Sequence, residues 1–255
     1  HNFDEIEKKD IRVGDTIEIQ RAGDVIPQVI SVDKTKRVKN SKKFYIPSNC
    51  PCCNSKAYRK KDEVAIKCTG GLSLCEDQQL GSLKYFVSRD AFNIEGLGGK
   101  NLKKFWKDNF IKYPYDIFYL HKYKNEIINK DGFGEKSYLN LINSINAKKT
   151  IPLDKFIYSL GIPQVGQRTS NLLSKHFKNF NNWFNSIKKL SSKDTNIYEN
   201  YINIDGIGPD VVDDIRNFFD KEKIVIIKKL HESLDKIEEY NFSKQINSKL
   251  SEKII

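Results

Sequence analysis

A multidomain α+β fold follows from three features of this 255-residue sequence. Residues 1–47 carry short alternating apolar runs between tight turns, residues 48–79 hold all five cysteines, and residues 80–234 read as helices joined by glycine-containing pairs. In turn these predict a partial OB-fold β-barrel, a small four-cysteine zinc finger, and an all-α domain of four helix–hairpin–helix units. From 235 to 255 the sequence turns polar and aperiodic and reads as a linker.

Composition narrows the class of protein. Charged residues at 30% and hydrophobic ones at 38% fit a folded, polar chain and exclude a disordered or membrane-embedded one. No segment approaches the roughly 18 apolar residues of a membrane span. With 44 Lys and Arg against 33 Asp and Glu, the net charge of +11 points to a polyanionic partner, nucleic acid ahead of an acidic membrane. There is no Met and the first residue is His1, so the expectation is a piece of a longer protein.

In the first segment, Asp15 to Arg21 alternates outward polar residues with inward Ile17 and Ile19. Ala22-Gly23-Asp24 is a turn, and Val25 to Val32 forms a second run broken by Pro27, whose missing N–H suits an edge or a bulge. Too few strands are present to close a barrel. Lys34 to Lys43 then brings six cations and no acid, either as a solvated linker or as a phosphate-facing segment.

Cys50 and Cys53 are separated by two residues, Cys68 follows after fourteen, and Cys75 after six more. Two such pairs on turns bring four thiolates to the corners of a tetrahedron around Zn2+. No histidine lies near enough to compete, so the predicted ligands are Cys50, Cys53, Cys68 and Cys75, and the metal is structural. Cys52, inside the first pair, is left as a possible substitute ligand. Ordinary reduced cysteines, one of them catalytic, are the plainer alternative.

Four short strings share a turn-then-helix form: Ile94-Glu95-Gly96-Leu97-Gly98, Lys130-Asp131-Gly132-Phe133-Gly134, Ile162-Pro163-Gln164-Val165-Gly166 and Ile204-Asp205-Gly206-Ile207-Gly208. Their last glycines are 36, 32 and 42 residues apart, the scale of a repeated helical unit. The first glycine permits the turn, the middle apolar residue plugs the core, and the second leaves the next helix's N–H groups open to one phosphate. The candidate nucleic-acid contacts are therefore Gly96, Gly98 and Lys100; Gly132, Gly134 and Lys136; Gly166 and Arg168; and Gly206 and Gly208. The third string departs from the pattern, with Pro163-Gln164 where the first glycine falls. Pairing the first hairpin with the second, and the third with the fourth, gives two-fold arrangements suited to both strands of a duplex. Helices are expected near 81–91, 99–110, 114–121, 135–147, 152–160, 166–177, 208–219 and 221–233.

Several strings resemble the C-terminal half of bacterial NAD-dependent DNA ligases. Lys9-Asp10-Ile11-Arg12-Val13-Gly14-Asp15 and Arg21-Ala22-Gly23-Asp24-Val25-Ile26-Pro27 resemble that family's OB-fold. Cys50-Pro51 through Cys68-Thr69-Gly70-Gly71 resembles its zinc finger, with a longer last interval, and Leu160 to Gly166 its third hairpin. Lys249 to Ile255 looks like the opening strand of the family's BRCT domain.

The resemblance implies a chain that clamps nicked double-stranded DNA, with Arg21 near the nick, as a monomer in the cytoplasm at the nucleoid. It also implies a lysine that takes AMP from NAD within a Lys-x-Asp-Gly motif. The nearest strings here, Asn129 to Gly132 and Asn203 to Gly206, have Asn in place of that lysine and belong to hairpins. The adenylation domain, and with it NAD and Mg2+, is thus expected upstream, and this chain alone should be inactive. A stand-alone repair scaffold and an RNA-binding zinc protein are the rival readings.

Overall fold

The computed structural model describes residues 2–22, 26–59 and 64–241, and the chain divides into two compact units, residues 1–78 and 79–255. The first unit opens with a helix, α1 (Phe3–Lys8), where only β structure was expected. The Asn2 side chain accepts a hydrogen bond from the Asp4 amide at 3.1 Å, and this cap, with Asp4 and Glu5 in the first turn, overrides the apparent β pattern.

Strands β1 (Thr16–Ala22) and β2 (Ile26–Asp33) then form an antiparallel ribbon with a bulge opposite Glu18 and Ile19. Ile17 and Ile19, expected to face inward, are 37% and 56% exposed, because no second layer covers the ribbon among the described residues. One cation of the basic run, Arg37, reads differently. The side chain of Arg37 is 13% exposed and grips Asp15 with two hydrogen bonds, of 2.9 and 2.8 Å, and Asp10 with one of 2.6 Å. It serves neither as solvated linker nor as a phosphate contact. Arg12 joins the same cluster, reaching Asp10 at 3.1 Å and the Ser41 carbonyl at 2.7 Å. These guanidinium contacts hold both carboxyls well below the usual carboxylate range, Asp15 chiefly through Arg37 and Asp10 chiefly through Arg12 and then Arg37.

Two short strands, β3 (Ala57–Tyr58) and β4 (Lys67–Cys68), pair antiparallel, and a single-turn helix, α2 (Gly71–Leu74), leads to Cys75. Helix α3 (Glu76–Phe86) follows directly, starting five residues before its expected position.

The second unit is helical. After α3 come α4 (Gly99–Lys107), a 3-10 stretch over Pro114–Tyr123, α5 (Lys124–Ile128) and α6 (Glu135–Ala147). Strand β5 (Thr150–Pro152) precedes α7 (Leu153–Ser159) and α8 (Gln167–Phe177). Then follow α9 (Phe180–Ser191), α10 (Thr195–Ile202), α11 (Pro209–Phe218), α12 (Lys221–Glu232) and strand β6 (Lys236–Glu238). Helices α9 and α10 had not been expected, although Asn179 and Asp194 cap them through their side chains.

Phe105, Phe156, Trp183, Tyr201 and the apolar faces of nearly every helix form one continuous core. The aromatics beside the hairpins belong to it: Phe105 and Trp183 are fully enclosed, with Phe177 and Phe219 nearly so. The segment expected as a linker from residue 235 is built into the fold at its start. β6 pairs in parallel with β5, Ile151 opposite Ile237, and the Tyr240 amide donates to the Lys178 carbonyl. The segment expected to open a BRCT domain lies outside the described residues.

Candidate metal centre and nucleic-acid interface

The first site is built by two turns. Asn54, at φ +59°, closes the first, its amide donating to the Cys50 carbonyl at 2.9 Å while the Cys50 amide donates to Ser55 at 2.7 Å. Gly71, at φ +64°, opens the second, and the Cys75 amide donates to its carbonyl at 3.2 Å. Cys50, Cys53, Cys68 and Cys75 thereby place their sulfurs within 4.8 Å of one another. A tetrahedral zinc with Zn–S of about 2.3 Å needs sulfurs about 3.8 Å apart, so the four thiols are placed to bind it.

Two further features fit a metal-thiolate site. The Gly70 amide donates to the Cys68 sulfur at 3.3 Å. A Cβ at Gly70 would lie 2.9 Å from the Cys53 sulfur, so the cradle admits only glycine. Hydrogen bonds from the Ser55 hydroxyl and amide bring Cys53 down to about 6. At Cys75 the Gln78 amide pulls the other way, but burial and the neighbouring thiols lift it to about 12. A dication would take all four as thiolates. Cys52 is exposed and outside the cluster.

The second site is a repeated backbone shape. Gly96, Gly132 and Gly206 take φ of +82°, +80° and +86° at the hairpin turns. In the third hairpin Gln164 occupies that place at φ +60°, a conformation side chains other than glycine seldom adopt. The plugs Leu97, Val165 and Ile207 are buried, and Phe133 is partly so. The second glycines, Gly98, Gly134, Gly166 and Gly208, are the N-caps of α4, α6, α8 and α11 and have extended backbones. A Cβ added to any of the four would meet nothing within 4 Å.

Neither backbone geometry nor internal packing therefore demands glycine at these caps. Its effect is outward, since none of the four helices has a side-chain cap. Three helices outside the hairpins, α9, α10 and α12, spend a first-turn N–H on Asn179, Asp194 and Asp220. Helices α4, α6 and α8 keep those groups, and the positive end of the helix dipole, available to an outside anion.

The hairpins pack in pairs. The Lys104 ammonium of α4 donates to the Asp131 carbonyl in the second turn at 2.7 Å, and the Glu95 amide of the first turn donates to Ser144 of α6 at 2.8 Å. A groove of about 690 Å³ between these two hairpins is lined by Gly96, Gly132 and the polar side chains Asn101, Ser137 and Asn140. In the other pair Gln164 donates to Asp214 of α11 at 2.5 Å, and Leu172 of α8 packs beneath Gly206. Lys100, Lys136 and Arg168 are exposed on the first turns of their helices, and Arg21 is exposed on β1. Arg216 is instead paired with Asp213 at 2.9 Å and lies over the Tyr198 ring.

Residues 1–41 match the NAD-dependent DNA ligase OB-fold domain, residues 49–73 the NAD-dependent DNA ligase C4 zinc finger domain, and residues 155–227 the helix-hairpin-helix motif. The chain is 46% identical over 228 residues to a DNA ligase of Rhodospirillum rubrum, covering 87% of this chain and 32% of that protein. It is 43% identical over 269 residues to a DNA ligase of Pelobacter propionicus and 43% over 261 to one of Rickettsia canadensis. Each of these last two alignments covers all of this chain, with 38% and 37% of the respective relative. This chain belongs to the NAD-dependent DNA ligase family.

It spans about a third of the length of the curated relatives it matches. The zinc-finger match of the ligase family stops two residues before Cys75, and the fold brings Cys75 to the other three cysteines. The helix-hairpin-helix match covers the third and fourth hairpins, and the first two repeat their backbone shape outside it. Sequence reasoning passed over Gln164 as a departure and missed Asp214 and Lys104 altogether. Both lie six residues past their cap glycine.

Proposed function

We propose that this chain is the DNA-gripping part of an NAD-dependent DNA ligase, an enzyme that joins nicks in duplex DNA during replication and repair. The observation that carries the reading is the set of glycine-capped helix starts, each with its first-turn N–H groups open. Gly98 with Lys100, Gly134 with Lys136, and Gly166 with Arg168 each present one phosphate-sized positive site without reading a base. The turns of the first two, at Gly96 and Gly132, line one groove, and such a pair is suited to one phosphate on each strand. Gly96 and Gly132 set the turns that aim them. Arg21, on the ribbon, is assigned to the backbone near the nick.

Sealing needs a lysine that accepts AMP from NAD, passage of AMP to the 5′-phosphate, and displacement by the 3′-hydroxyl. That lysine, with NAD and Mg2+, is assigned to an adenylation domain outside this chain, which alone is inactive. Zn2+ on Cys50, Cys53, Cys68 and Cys75 is structural, since all four positions are filled by protein. The working state is a monomer in the cytoplasm, associated with the nucleoid.

Competition binding tests the reading. A labelled nicked duplex should be displaced from the chain by unlabelled nicked DNA of any sequence and poorly by structured RNA. Equal displacement by the RNA would overturn it in favour of an RNA-binding zinc protein.

A further inference from the structure

The four hairpins are built alike but not charged alike. The residue two places past each cap glycine lies in the first turn of the helix, beside the open N–H groups. It is Lys100, Lys136 and Arg168 in the first three hairpins, and Asp210 in the fourth. All four side chains are exposed. The fourth helix also begins with Pro209, which has no N–H to offer. Its only cation, Arg216, is occupied by Asp213 and Tyr198. In α6 the acid Glu135 is offset by Lys136 beside it, whereas no cation in the first turn of α11 offsets Asp210, which engages the dipole and repels a phosphate.

What α11 does instead is visible at Asp214. This residue holds the Gln164 amide at 2.5 Å, and Gln164 has the left-handed backbone that glycine supplies in the other three turns. In the first pair the equivalent position, Lys104, likewise latches its partner's turn, through the Asp131 carbonyl. The position six past the cap glycine is thus a latch in both pairs. In the second pair it secures the one turn whose residue is conformationally unsuited to it.

We propose that the fourth hairpin holds the third in place rather than holding a phosphate, with Asp214 as the positioning residue acting through Gln164. Gly206 then serves the packing of the fourth turn against Leu172 of α8. The inference rests on the reading of the first three hairpins as DNA contacts.

The test measures binding of the full chain to nicked duplex at low salt, with thermal melting as a control for folding. If loss of the latch leaves the third turn correctly shaped about a fifth of the time, Asp214→Ala weakens its contribution about 5-fold. Asp214→Asn keeps an acceptor for Gln164 and should stay within about twofold of wild type. Gln164→Gly with Asp214→Ala should restore binding, because glycine holds the turn unaided. Gly208→Asp should cost less than twofold while Gly98→Asp costs several-fold.

Removing negative charge near DNA predicts the opposite order, with Asp214→Ala and Asp214→Asn both tightening binding. That result overturns the inference, as does a double variant that stays weak or a Gly208→Asp as damaging as Gly98→Asp. If Gly98→Asp itself leaves binding intact, the reading of the hairpins as DNA contacts falls as well.

Discussion

Replacing Gly98 with aspartate separates the two reasons a helix can start with glycine. Gly98 has φ −70° and ψ 171°, a backbone open to any residue, and a side chain there would project into free space. An aspartate would accept from a first-turn amide as Asp220 does from Lys223 at 2.7 Å and Asp194 does from Ile197 at 3.1 Å. Capping with Asp instead of Gly is worth a few tenths of a kcal/mol, so melting temperature should hold or rise slightly.

Binding should move the other way. A phosphate loses one N–H and a dipole contact worth about 0.3–1 kcal/mol, and it meets a carboxylate whose repulsion at 5 Å adds about 0.8 kcal/mol even at the dielectric constant of water. The sum of about 1–2 kcal/mol is roughly a 5- to 30-fold loss of affinity, shrinking as salt rises. Fluorescence anisotropy with a labelled nicked duplex, run beside a thermal melt, reads both quantities. Unchanged affinity with a stable fold would refute the argument that the cap glycines exist for an outside anion. Parallel loss of stability and affinity would show instead that the glycine is needed by the fold.

Three further outcomes follow from the geometry. Cys53→Ser should reduce zinc in the purified chain well below one ion per molecule by metal analysis, whereas Cys52→Ser should leave it unchanged, since Cys52 is outside the cluster. Because Asp10 and Asp15 titrate lower folded than unfolded, their contribution to the first unit is complete above the ordinary carboxylate value of about 3.9. It should fade as pH falls below that value, and Arg37→Met, measured by chemical denaturation across pH, should reduce that pH dependence, leaving the part that Asp10 owes to Arg12. Burial lowers His231, whose ring stacks on Phe180 at 4.0 Å, so its contribution is present above about pH 6.5 and is lost on acidification. His231→Phe should flatten the melting temperature of the second unit between about pH 7 and 5.

The sequence carried the metal site and the hairpins because both depend on spacing along the chain. Two cysteine pairs on turns, and a glycine three residues before a helical period begins, are local patterns that tertiary packing does not rewrite. What stayed hidden depended on partners distant in sequence. Arg37 looked like one more lysine-run cation, and only the fold brings Asp10 and Asp15 to it, 27 and 22 residues away. Ile17 and Ile19 alternate as an inward face would, but alternation cannot report whether a second layer is there to receive them. Helices α9 and α10 were missed although Asn179 and Asp194 announced their starts. Gln164 was legible only as an anomaly, since its support comes from Asp214, 50 residues further on.

The central claim is that three glycine-capped, cation-bearing helix starts hold the phosphates of a duplex. The affinity of the chain for a nicked duplex of random sequence, followed from low to moderate salt, tests it most directly. If Lys100, Lys136 and Arg168 each neutralise one phosphate, the logarithm of affinity should fall against the logarithm of salt with a slope of about −3, and substituting all three should flatten it towards zero. A slope unaffected by the triple substitution would contradict the account.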